Sequence, residues 1–70
     1  PYNLTIMGLG YIGLPMAALT ARAGMNVLGV DINPVVVNTV NAGRIHIEEP
    51  GLAPIVAEVV REQKLVAALK

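Results

Sequence analysis

Ile6-Met7-Gly8-Leu9-Gly10-Tyr11-Ile12-Gly13-Leu14-Pro15-Met16-Ala17 decides how this chain folds, because it joins a short apolar run, a glycine turn and a small-residue helix start. Gly8, Gly10 and Gly13 have the spacing GxGxxG, in which each position has its own reason to lack a side chain. Gly8 lets the chain turn sharply out of a strand, and Gly10 lets the backbone approach a pyrophosphate. Gly13 lets the new helix pack tightly on the strand. An anion would then sit at a helix N-terminus, where unpaired N–H groups and the positive end of the helix dipole favour it. The amides of Tyr11 and Ile12 are the expected donors.

Glycine turns also serve plain packing, so the context must decide. Leu4-Thr5-Ile6-Met7 is short and apolar, as a parallel strand buried on both faces should be. The residues after the turn, from Met16 to Ala23, favour helix. Gly24 ends that helix, and Asn26-Val27-Leu28-Gly29-Val30 forms a second apolar strand closed by Asp31. Asp31 lies eighteen residues past Gly13, close to the offset of about 20 residues expected of the acid that binds an adenosine ribose. An acid there accepts hydrogen bonds from the ribose hydroxyls and repels a 2′-phosphate. It therefore favours NAD over NADP, the more so because Ile32 to Asn38 contains no Arg or Lys. FAD fits the same fingerprint, but nothing further supports it.

The expected fold class is α/β, a Rossmann-like parallel sheet with flanking helices, of which these residues form the N-terminal βαβα(α) portion. Seventy residues, 54% of them hydrophobic, carry too much apolar surface for a parallel sheet that stands alone, since such sheets need cover on both faces. Residues 1–70 are thus expected to be one part of an NAD-binding domain in a longer protein. Five basic and five acidic residues balance, which gives no reason to propose nucleic acid or an anionic membrane as partner. With no cysteine, the segment has neither a disulfide framework nor a thiol nucleophile. Residues 4 to 21 are apolar enough to raise the question of a signal peptide, but no Lys or Arg precedes them and three glycines and Pro15 interrupt them. A cytoplasmic location follows by default.

Within the first helix, Ile12, Met16, Leu19 and Ala23 fall at helical spacing and are expected to face the sheet. Arg22 is expected to be a solvated residue near the C-terminus of that helix. Asn33 and Pro34 read as the cap and first position of a second helix, with Gly43 as its left-handed stop. Asn33 could also touch the ribose beside Asp31, although capping is the simpler role. His46 reads as a hydrogen-bonded loop residue without a triad or metal partner. Glu48 and Glu49 are adjacent, so their side chains should diverge rather than act as an acid/base pair. Glu49-Pro50-Gly51-Leu52 reads as the opening of a third helix with proline in its first turn. In that helix Leu52, Ile55, Val56, Val59 and Val60 share one face. For residues 64–69 local propensity favours helix and fold logic wants a strand, so both stay open.

Several stretches together resemble the start of the nucleotide-sugar dehydrogenases, which oxidise UDP-glucose, GDP-mannose or UDP-N-acetylmannosamine. These are Gly8 to Pro15, Gly29-Val30-Asp31, Val40-Asn41-Ala42-Gly43, and Ile45 to Leu52. The Glu49-Pro50-Gly51-Leu52 block carries most of the specificity. The Ile45-His46-Ile47 run before it looks more like the UDP-N-acetyl-D-mannosamine branch. The resemblance implies a four-electron oxidation of a sugar primary alcohol to a carboxylate with two NAD, in a homo-oligomer. It also implies that the catalytic cysteine and its neighbours belong to a later part of the chain. Only the NAD contacts carry over, onto Gly8, Gly10, Tyr11, Ile12, Gly13 and Asp31; no catalytic or metal-binding role falls here. Two other readings compete. Gly8-Leu9-Gly10, Gly13 to Ala17 and Ala23-Gly24 also resemble β-hydroxyacid dehydrogenases of the 3-hydroxyisobutyrate type, and a non-catalytic NAD-sensing module would need no more than this fingerprint.

Overall fold

The structure, a computed structural model, describes all 70 residues. In chain order it contains β1 (Leu4–Met7), α1 (Gly13–Arg22), β2 (Val27–Asp31), α2 (Pro34–Asn41), α3 (Leu52–Arg61) and β3 (Leu65–Leu69). The strands form one sheet in the order β1-β2-β3, and both pairings are parallel. Parallel neighbours require a crossover. Helix α1 supplies the first, and α2 with α3 supplies the second. This is a parallel sheet with helical crossovers, the connectivity found in each half of a Rossmann-like fold, as the strand–turn–helix order predicted.

The register aligns Leu4, Val27 and Leu65, then Ile6, Gly29 and Ala67. Apart from the half-buried Leu4, these residues are buried on the face that carries the helices. Thr5 and Met7 of β1 point the other way and are exposed. The expectation that β1 is buried on both faces is therefore corrected. Successive right-handed crossovers in one direction place their helices on the same side, so these residues cover only one face. No helix is long and apolar enough to cross a membrane; the apolar run from residue 4 to 21 is a strand, a turn and a helix.

Helix α1 corrects the sequence reading more sharply. It buries Leu14, Ala17, Ala18 and Ala21, while Ile12, Met16 and Leu19 are 80%, 52% and 45% exposed and Ala23 also faces out. Both stripes have helical spacing, so periodicity could not choose between them. Separation chose. A Cβ on Gly13 would overlap the Gly8 carbonyl oxygen, which means that the helix starts in contact with the end of β1. At that distance the alanine face fits and a Met/Leu face does not.

Of residues 64–69, Leu65–Leu69 form the strand β3 and Lys64 is the bend before it. Helix α3 ends at Arg61 with Glu62 as its C-cap; the next residue, Gln63, adopts φ 62° while Lys64 N–H returns to the Val59 carbonyl at 2.8 Å. Glycine usually takes that left-handed position, so residue type hid the stop. Parallel pairing with β2 and burial of Leu65 and Ala67 outweigh a helical propensity worth only tenths of a kcal/mol per residue. In α3, Leu52, Val56 and Val59 are buried as the amphipathic pattern predicted, with Ile55 and Val60 partly covered. The helix begins at Leu52 behind a left-handed Gly51. Pro50 therefore precedes the first turn, and Pro54 occupies it.

Nothing in the order of residues hints at the role of Asn41. Its side-chain amide donates to the Ala67 carbonyl and accepts from the Ala67 N–H, both at 2.8 Å. It pairs the outer edge of β3 for one residue, as a neighbouring strand would. Asn41→Ala would leave both Ala67 groups without protein partners, with an expected loss of about 1–3 kcal/mol of stability. Urea titration of the intact protein would test this; an unchanged midpoint would show the edge bonds to be dispensable.

Candidate functional site

The carboxyl ends of β1 and β2 bring the glycine turn and Asp31 together. Gly8, at φ 94°, donates its N–H to the Val30 carbonyl at 2.7 Å and turns the chain across the end of β2. Leu9 then drops into the core, fully buried, over a bare stretch of β2. A Cβ on Gly29 would come within 2.7 Å of a Leu9 methyl. Burial of a leucine side chain is worth about 1.5–3 kcal/mol, so Gly29 and Leu9 together hold the turn against β2. Sequence reading missed this pair, because Gly29 reads only as one residue of a strand.

Beyond Leu9 the backbone opens to solvent. The amides of Gly10, Tyr11, Ile12 and Gly13 donate to no acceptor in the chain, while the Gly10 carbonyl already accepts from Leu14 N–H at 3.0 Å. No side chain caps α1 and no acid lies in its first turn. The positive end of the helix is therefore uncompensated. A Cβ on Gly10 would meet nothing within 4 Å, so the protein itself does not require glycine there. A ligand close to the backbone would. These amides face a cleft of about 550 Å³ between the turn and Met16.

A second cleft, of about 220 Å³, lies beside it over Val30, Asp31 and Ile32, and the two share Met7 and Gly8. Asp31 is held by both oxygens: Oδ2 accepts from Leu9 N–H and Oδ1 from Asn33 N–H, each at 2.9 Å. The Leu9 N–H chiefly, then the Asn33 N–H, hold the carboxyl below its ordinary range; partial burial opposes them and the field of His46 assists. A carboxylate offers about four lone-pair sites. Two remain for a diol, with the group fixed in orientation.

Asn33 Oδ1 accepts from Val35 N–H at 2.9 Å and caps α2, while Gly43 at φ 76° follows its end; both features match the sequence reading. His46, expected to be hydrogen-bonded, is exposed and makes no hydrogen bond to the chain. Lys70 lines the cleft with Asp31, because β3 runs beside β2 and Lys70 N–H reaches the Asp31 carbonyl at 3.0 Å. A search for cations near Asp31 in sequence could not find it.

Comparison with known proteins bears on this geometry. The chain is 52% identical over 65 residues to UDP-N-acetyl-D-mannosamine dehydrogenase of Campylobacter jejuni, which covers 93% of this chain and 16% of that protein. It is 53% identical over 58 residues to the Escherichia coli K12 enzyme of the same name, covering 83% of this chain and 14% of that one. Among solved structures it superimposes on the UDP-N-acetyl-mannosamine dehydrogenase of Staphylococcus aureus with a TM-score of 0.89 at 48% identity, covering 93% of this chain and 16% of that one. A ternary complex of GDP-mannose dehydrogenase from Pseudomonas aeruginosa gives 0.91 at 31% identity, covering 93% and 15%. The chain thus spans about one sixth of the length of these relatives. They favour the nucleotide-sugar reading over the β-hydroxyacid and sensor alternatives. Residues 2–70 match the NAD binding domain of the UDP-glucose/GDP-mannose dehydrogenase family, whose cofactor is NAD, and the chain belongs to that family.

Proposed function

We propose that residues 1–70 are the N-terminal part of the NAD-binding domain of a longer dehydrogenase, with Gly8, Gly10, Tyr11, Ile12, Gly13 and Asp31 holding the adenosine diphosphate half of NAD. The observation that carries this reading is the bond from Leu9 N–H to Asp31 Oδ2. It locks the turn, with its four free amides, against the one carboxylate at the strand ends. In this reading the Tyr11 and Ile12 amides bind the pyrophosphate, with Gly10 leaving room for it, and the free acceptor sites of Asp31 take the ribose hydroxyls. Bound NAD supplies a hydride acceptor. These residues bind and orient it and perform no bond chemistry themselves.

The substrate of the intact protein is, on this reading, UDP-N-acetyl-D-mannosamine. The names of the relatives at about half identity support it, as does the Ile45-His46-Ile47 run. One sugar primary alcohol, one water and two NAD would give one carboxylate, two NADH and three protons. The sugar would bind through the rest of the chain, in a cytoplasmic homo-oligomer. Counting NADH formed per limiting sugar in the intact protein tests the proposal. Two per UDP-N-acetylmannosamine is the expected result. Two per UDP-glucose, with none from the first sugar, would overturn the substrate, and no turnover with any nucleotide sugar would overturn the activity.

A further inference from the structure

We infer that Tyr11 is a positioning residue as well as a backbone donor: its side chain ties the loop of residues 44–51 to the phosphate-binding turn, so that occupancy of the turn is felt at Glu48. Tyr11 Oη accepts from Glu48 N–H at 3.3 Å across 37 residues of sequence. Within residues 45–48 this is the only hydrogen bond to another part of the chain. The loop is otherwise anchored by side-chain packing alone, through the buried Ile47 and the partly buried Ile45, while His46 and Glu48 are exposed.

Tyr11 is 62% exposed, so core packing does not account for its position. It stands between two clefts, lining both the one over the free amides and another, of about 400 Å³, bounded by Leu19, Glu49, Pro50 and Ile55. Two residues before Glu48, His46 contributes a minor part of the field that holds the Asp31 carboxyl below its ordinary range. The loop therefore meets the turn at the Tyr11 hydroxyl. An anion that orders the amides of Tyr11 and Ile12 also fixes the Tyr11 backbone, and with it the hydroxyl that holds Glu48.

This inference rests on the NAD reading of the turn. Tyr11→Phe keeps the ring and removes the acceptor, whereas Glu48→Ala keeps the N–H and serves as control. Hydrogen exchange of the Glu48 amide is measured in the intact protein with and without NAD, alongside direct NAD titration. Loss of one ordinary hydrogen bond predicts roughly fivefold lower protection at Glu48 in the Phe variant. Added NAD should raise that protection in the wild type and in Glu48→Ala, but not in Tyr11→Phe. Unchanged exchange in Tyr11→Phe, or an NAD-dependent rise that survives the substitution, would overturn the inference. If the titration shows that no version binds NAD, the site reading falls and the coupling falls with it; that failure is distinguished by the titration alone.

Discussion

Gly13→Ala is expected to abolish useful NAD binding and to destabilise the fold. The added methyl would overlap the carbonyl oxygen of Gly8 and lie 2.9 Å from its carbon. Both are backbone atoms, so no rotamer change can relieve the contact. Helix α1 must move away from β1, which loosens the packing of Leu14, Ala17, Ala18 and Ala21. Overpacking of this kind costs about 1–3 kcal/mol, and the upper end is expected where backbone meets backbone. The displaced amides lose their alignment on the pyrophosphate; about 2–3 kcal/mol of lost binding corresponds to roughly 30- to 150-fold in affinity.

Gly10→Ala is the control that separates fold from ligand. Its methyl meets no protein atom within 4 Å, so stability should stay within about 0.5 kcal/mol, while NAD binding weakens by about tenfold or more. Thermal unfolding and NAD titration of the two variants measure both effects. Equal stability losses would show that Gly10 serves the fold rather than the cofactor. Undiminished NAD binding in Gly13→Ala would refute the close-contact account.

Asp31→Asn is expected to have the second large effect. The wild-type carboxylate accepts from Leu9 and Asn33 N–H groups at 2.9 Å and keeps free acceptor sites for a ribose. An amide has one oxygen for the two donors and turns its NH₂ towards the other. Charge-assisted hydrogen bonds are worth about 1.5–3 kcal/mol, so NAD affinity should fall roughly 10- to 150-fold. NADP should lose less, because removing the charge also removes its repulsion of the 2′-phosphate. The NAD/NADP preference should narrow accordingly, and an unchanged preference would remove Asp31 from ribose recognition.

The same substitution should alter the acid limb of stability. The Asp31 pKa is lowered from an ordinary value near 3.8 by the Leu9 N–H first and the Asn33 N–H second. A depressed carboxylate contributes stability that is complete above its unfolded value and disappears as pH falls through the folded one. Wild-type stability from this source should therefore be constant above about pH 4 and decline below it. Asp31→Asn should lack that part of the decline. Parallel acid titrations followed by circular dichroism would show the difference, and superimposable curves would deny Asp31 its linkage.

Much of this was legible in the residues, but unevenly. The strand–turn–helix–strand order, the spacing from the glycines to Asp31, the Asn33 cap and the Gly43 stop are local constraints. They act through φ angles, capping and donors within a few residues of each other, and those a chain displays directly. The buried face of α1 was not legible, because Ile12, Met16 and Leu19 are as periodic as Leu14, Ala17 and Ala21. Nor was the fate of residues 64–69, whose helix stop is a left-handed glutamine.

The sequence by itself determined that an acid follows a GxGxxG turn between two short apolar strands, because steric need at glycine and charge at aspartate belong to the residues themselves. Only the tertiary structure decided what each element meets: Leu9 over Gly29, Asn41 on the edge of β3, Lys70 beside Asp31, and Tyr11 on Glu48. These contacts depend on the distance between elements far apart in the chain. That distance is set by how closely whole faces can pack.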